Sequence, residues 1–306
     1  MKMSFDYKKS LKKAFQNHIF SSDDKSIIEK EIIRLSIMAL VEKPEKIIGF
    51  LRFQSPKQKL VQFLTQSLEI KTGDMLEEFF TDLLSTKFTA QDKYITYLGK
   101  NYKCDQLFLQ KNGEVLFIEQ KIRDDHDTTK KTGQVDNFET KILGLASKYK
   151  VHINAYEWFI DDNFKKHEVY YQQCIDDFNS KNASICTSYL KYGGPIINDL
   201  CGVETWDNFV QAYEETKVDY VSDIPSIINN YDFDNDPSSV IFDYIIHKRK
   251  ENMGLFFSES FKKVREEFFP SNKMAEKLYN YFSEKKHSKS KTARLFVQQY
   301  HQVYIT

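Results

Sequence analysis

Two carboxylates and an amine interrupt a short, otherwise apolar and strand-like stretch: Asp105, Glu119 and Lys121 in "YKCDQLFLQKNGEVLFIEQKIRDDHD", residues 102–127. Side chains alternate along a strand, so Glu119 and Lys121 share a face and Gln120 points away. Carboxylates brought close together repel, which favours a divalent cation between them or a raised pKa on one. An ammonium beside them adds a donor able to orient water and stabilise developing negative charge. Such a group suits metal-assisted hydrolysis of a phosphodiester.

Whether Asp105 joins the other two depends on the turn between the strands. Asn112 and Gly113 are strong turn formers. A two-residue loop at these positions pairs Lys111 with Glu114 and sets Asp105 opposite Gln120, on the wrong face. With Lys111, Asn112 and Gly113 in a three-residue loop, and Gly113 in the left-handed region of a G1 bulge, Gln110 pairs with Glu114. Asp105 then falls opposite Glu119. The bulged form is expected.

The spacing of Asp105, Glu119 and Lys121, with "FIEQK" closing the second strand, resembles the PD-(D/E)xK nuclease superfamily. Cys104 stands where that family loosely keeps a proline. The resemblance implies a restriction-endonuclease-like α/β core, a mixed central sheet flanked by helices, with helical N- and C-terminal additions. It implies Asp105 and Glu119 as Mg²⁺ ligands, the backbone carbonyl of Gln120 as a further ligand, and Lys121 as the catalytic lysine. A glutamate from the preceding helix is implied as well, and in "TGDMLEEFF" this is Glu77, with Glu78 as substitute. The family core spans roughly residues 70–160.

The longer string "EQKIRDDHDTTKKTGQ" is similar to the segment after the motif in type II restriction endonucleases. It suggests DNA contacts from Arg123, Lys130, Lys131 and Gln134. The enzyme implied is a type II site-specific deoxyribonuclease acting on double-stranded DNA, a homodimer on a symmetric site, with a cognate DNA methyltransferase encoded nearby. A repair or junction-resolving nuclease of the same superfamily, or a DNA-binding module without catalysis, are the alternatives.

The elements that must position these residues are legible in periodicity. Helical spacing of Ile28, Ile32, Leu35 and Ala39 comes after the cap-like "SSDD", and Ser55 with Pro56 opens "SPKQKLVQFLTQSL". From Phe88 the pattern shortens to strands, through "FTAQDKYITYLG", "CDQLFLQ" and "VLFIEQKI". The helix "QVDNFETKILGLASKYK", the strand "VHINAYEWFI", the helix "EVYYQQCIDDF" and the run "SICTSYL" alternate, which argues for an α/β core. Beyond "YGGP" the chain turns helical again. The expected division is a helical N-terminal region over 1–60, a nuclease core over 61–200, and a helical C-terminal region over 201–306 for recognition or dimerisation.

Composition sets the outer limits. A chain of 306 residues, 41% hydrophobic and 15% aromatic with only 10 Gly and 6 Pro, has the means to bury a large core and little room for disorder. Its Lys plus Arg equal its Asp plus Glu at 44 each, so net charge is silent on DNA. No acidic residue comes after Glu284, and the basic C-terminal stretch suits phosphate contact or a solvated tail. No apolar run reaches the ~18 residues of a membrane helix, and the lysine-broken N-terminus is unlike a signal sequence. A cytoplasmic location is expected.

Other motifs carry less. Cys104, Cys174, Cys186 and Cys201 lack zinc-like spacing and read as buried thiols. Asp232, Asp234 and Asp236 echo a calcium loop, but Pro237 stands where the sharp turn needs glycine, so a helix-capping linker is expected. His126, among acids, reads as a surface turn.

Overall fold

The structure, a computed structural model, describes residues 5–42, 44–48, 53–125, 128–248, 256–257, 259–284 and 290–304. Its contacts gather into two units, each built from two stretches of chain: Met1–His18 with Thr72–Val218, and Ile19–Lys71 with Asp219–Thr306. The chain therefore crosses between units at 18/19, 71/72 and 218/219, whereas the sequence patterns divide it at 60/61 and 200/201.

The first unit is mixed α/β and opens with helix α1 (Tyr7–His18). Strands β1 (Thr89–Ala90), β4 (Gln106–Leu109), β5 (Val115–Lys121), β6 (Ile153–Phe159) and β7 (Cys186–Tyr192) form one sheet in the order β1-β4-β5-β6-β7. The β1/β4 and β4/β5 pairs are antiparallel, and the β5/β6 and β6/β7 pairs parallel. Strands β2 (Tyr94–Tyr97) and β3 (Lys100–Lys103) make a separate ribbon. Helix α5 (Thr128–Tyr149) links β5 to β6, and α6 (Glu168–Asn182) links β6 to β7. Parallel neighbours need such crossovers.

Alternation divides the sheet's side chains between two apolar layers. On one face Leu107, Val115, Phe117, Ile153, Ala155 and Cys186 pack with Phe138, Ile142 and Leu145 of α5 and Ile175 and Phe178 of α6. On the other, Trp158 meets Phe80 of α4 (Pro56–Leu84) at a ring separation of 4.8 Å, and Phe80 meets Phe209 of α8 (Thr205–Tyr220) at 4.9 Å. Between β7 and α8 in the chain, α7 (Pro195–Cys201) starts with Pro195 in its first turn directly after the glycine pair.

The second unit is helical over its described residues, with α2 (Lys25–Glu42), the short α3 (Pro44–Ile47), α9 (Ile224–Asn230), α10 (Val240–Lys248) and the helices Lys262–Phe268, Lys273–Ser283 and Lys291–Tyr304. Ser55 and Gln58 exchange hydrogen bonds as a capping box at the start of α4. The calcium-like acids are spent on caps and turns. Asp234 accepts from Met274 N at 2.9 Å, and Asp236 accepts from Phe242 N at 2.9 Å and Tyr231 Oη at 2.6 Å. Among the described residues no helix is long and apolar enough to cross a membrane.

Candidate active site

The hairpin forms with the three-residue turn. Gln106 pairs with Ile118 and Leu109 with Val115, and Gln110 N donates to the Glu114 carbonyl at 2.8 Å. Gly113 adopts φ +85°, the left-handed conformation that favours glycine. Continued by one residue, this register sets Asp105 opposite Glu119. The backbone N–H of Gln120 donates to Asp105 Oδ2 at 2.9 Å, holding that carboxylate against β5.

Lys121 draws the two acids together, its Nζ lying 2.8 Å from Glu119 Oε1 and 3.5 Å from Asp105 Oδ2. Burial alone would lower the Lys121 ammonium, but Glu119, Asp105 and Glu157 outweigh it and hold the pKa above its ordinary value. The side chain of Gln120 faces the other way, where its Oε1 accepts from Gln106 Nε2 at 3.4 Å.

Two residues that sequence patterns did not single out complete the group. Lys141 of α5, only 4% exposed, donates to Glu119 Oε2 at 2.7 Å, so each oxygen of Glu119 meets a lysine. Glu157 is the register partner of Glu119 on β6 and is 2% exposed. Neither of its carboxylate oxygens has a hydrogen-bond partner among the described residues. Burial pushes Glu157 up to about 8, with Lys121 and Lys141 pulling down and Glu119 and Asp105 pushing up.

A faint sequence signal existed for both. Lys141 falls on the apolar stripe of α5 beside Phe138, Ile142 and Leu145, and Glu157 interrupts the inward phase Ile153, Ala155, Phe159. An ionisable residue in an apolar phase is a candidate for a buried partner.

The other expected residues are dispersed. Glu77 is held by Lys93 at 2.7 Å and Lys103 at 3.1 Å, while its backbone carbonyl accepts from Gln106 Nε2 at 2.8 Å. Glu78 binds His18 and Lys13 instead. Arg123 pairs with Asp161 at 3.6 Å. Lys131 lies 4.2 Å from the Tyr170 ring, and Lys130 is exposed. Gln134 Oε1 accepts from Tyr171 Oη at 2.6 Å. His126 lies outside the described residues. Burial pushes the Cys104 thiol up to about 12, which makes it an inert packing residue.

This geometry occurs inside a segment with a known counterpart: residues 87–217 match the family model of the HinfI type II restriction endonuclease. That segment is a HinfI-family type II restriction endonuclease domain. The HinfI-type segment begins just before β1, ends within α8, and contains every strand of the sheet together with Asp105, Glu119, Lys121, Lys141 and Glu157. That family is one of site-specific deoxyribonucleases. No curated protein matches the chain.

Type II restriction endonucleases are typically metal-dependent, and the donor set here suits a hard cation. Among the described residues no three acidic, histidine or cysteine side chains converge as a ready-made cage. Asp105 and Glu119 nevertheless offer only oxygen, and the Lys121 ammonium between them marks where positive charge is stabilised. Mg²⁺ commonly binds through one or two carboxylates, water and substrate phosphate rather than an all-protein cage.

Proposed function

We propose that this protein is a Mg²⁺-dependent type II restriction endonuclease that cuts double-stranded DNA at a short specific site, leaving 5′-phosphate and 3′-hydroxyl ends. The observation that carries this is the meeting of Asp105 and Glu119 on one lysine, Lys121, inside the HinfI-type segment.

Asp105, Glu119 and the Gln120 backbone carbonyl would hold Mg²⁺. Bound there, the ion supplies Lewis acidity toward the scissile phosphate and makes water more acidic. Gln120 N keeps Asp105 turned toward β5. Lys121, which lies against both Glu119 and Asp105, acts as a donor that orients the nucleophile and stabilises charge on the phosphate. Glu77 holds Lys93 and Lys103, and so fixes the position of Lys103, which feels the Asp105 charge.

Arg123, Lys130, Lys131 and Gln134 are assigned to the DNA, the three cations to phosphates and Gln134 to the approach of α5. A homodimer matches its two-fold axis to a palindromic site. Such an enzyme works in the cytoplasm beside a cognate methyltransferase that protects host DNA.

The test is digestion of unmethylated phage DNA by the purified protein with and without Mg²⁺, beside Lys121→Ala. Discrete bands that need Mg²⁺ and vanish in the variant are expected. Intact DNA under all conditions would remove the catalytic assignment, and a smear would remove the site specificity.

A further inference from the structure

We propose that Glu157 is a positioning residue that receives Lys141 when Glu119 turns to a divalent cation. The proposal rests on Asp105 and Glu119 being the cation site. Without a cation both oxygens of Glu119 are occupied, Oε1 by Lys121 and Oε2 by Lys141. A cation shared with Asp105 would turn Glu119 toward the Asp105 side, where Lys121 stands, and away from Lys141 on Oε2.

The two lysines differ in what they can fall back on. Lys121 has solvent to fall back on, since 23% of its side chain is exposed. Lys141 is enclosed, and Glu119 is its hydrogen-bond partner among the described residues. A buried ammonium stripped of its counter-charge is strongly disfavoured. A turn of Glu119 that takes Oε2 from Lys141 therefore requires another acceptor for that ammonium.

Glu157 meets that requirement, its carboxyl giving up its proton to solvent as the ammonium arrives beside it. It stands opposite Glu119 on the next parallel strand, a separation of about 4.8 Å between neighbouring strands, and on the same face. Its carboxylate is buried with neither oxygen hydrogen-bonded among the described residues, although buried polar groups are nearly always satisfied. The narrow cavity beside it is lined by Val135, Phe138, Glu139, Tyr171, Ile175 and Phe178. Glu157 also feels Lys121, Glu119, Asp105 and Lys141 electrostatically, so it belongs to the same group.

The test is Mn²⁺ affinity of the full-length protein, followed by the electron paramagnetic resonance of free Mn²⁺, for wild type, Glu157→Gln, Lys141→Met and the double variant. Thermal unfolding confirms that each is folded. Glu157→Gln is expected to weaken Mn²⁺ binding by about fivefold or more, as for two coupled sites, and to have no effect once Lys141 is Met. Equal weakening in both backgrounds would mean that Glu157 acts on the cation directly and would overturn the exchange, as would no weakening in either. Glu157→Leu replaces Glu157→Gln with the same outcomes if the latter does not fold. Mn²⁺ binding indifferent to Asp105→Asn would overturn the cation site itself, and the exchange with it.

Discussion

Asp105 and Glu119 face one another across the β4/β5 hairpin because the turn between them holds three residues, with Gly113 at φ +85°. A turn one residue shorter would carry Asp105 to the opposite face of the sheet. The conformation of one glycine thus lies upstream of the site's charge arrangement.

A side chain at Gly113 meets no atom within 4 Å, so its cost is purely that of the left-handed backbone. Gly113→Ala is expected to lower stability by about 1 kcal/mol, and Gly113→Val by more. Urea denaturation midpoints measure both. Unchanged midpoints would show that the turn can relax into another geometry.

Lys121→Ala is expected to reduce cleavage at saturating Mg²⁺ by about a hundredfold or more, without loss of specific DNA binding in Ca²⁺. Asp105→Asn should lower both cleavage and cation affinity. Single-turnover cleavage and gel-shift assays separate the two effects, and a Lys121→Ala enzyme that cleaves normally would remove that residue from the chemistry.

Glu157 makes stability depend on pH in a defined direction. Its carboxyl is held at about 8 in the folded chain against the ordinary 4.5, so between these values the native state binds a proton that the unfolded state has released. Stability from this group is intact at the acidic end of that window and declines as pH rises through it. Glu157→Gln, which cannot ionise, should therefore gain on wild type between pH ~5 and pH ~8. Denaturation midpoints of both proteins at the two pH values provide the check, and a constant difference would contradict the raised pKa.

Gly194 leaves no room for a methyl group, since a Cβ there would collide with the Trp206 indole. Trp206 itself is held against Trp158 and Phe209. Gly194→Ala is expected to destabilise by about 1–3 kcal/mol through overpacking. A melting temperature equal to wild type would show that the indole has freedom to move.

Much of this protein is written in local pattern. Alternation in "CDQLFLQ" and "VLFIEQKI", the turn chemistry of Asn112 and Gly113, and the helical stripe through Phe138, Ile142 and Leu145 depend on residues close in sequence, and the corresponding elements form where those patterns place them. Asp105, Glu119 and Lys121 were legible for the same reason, because one hairpin register joins them. Glu77 was placed by its helix alone, which says nothing of Lys93 and Lys103 arriving from later segments to occupy its carboxylate. Lys141 and Glu157 lie on other elements, 22 residues from Glu119 in the first case, and only the parallel pairing of β5 with β6 and the docking of α5 bring them to it. Local sequence governs which face a side chain takes within its own strand or helix. Which charges then share a buried space depends on how those elements pack, and that was decided by the tertiary structure.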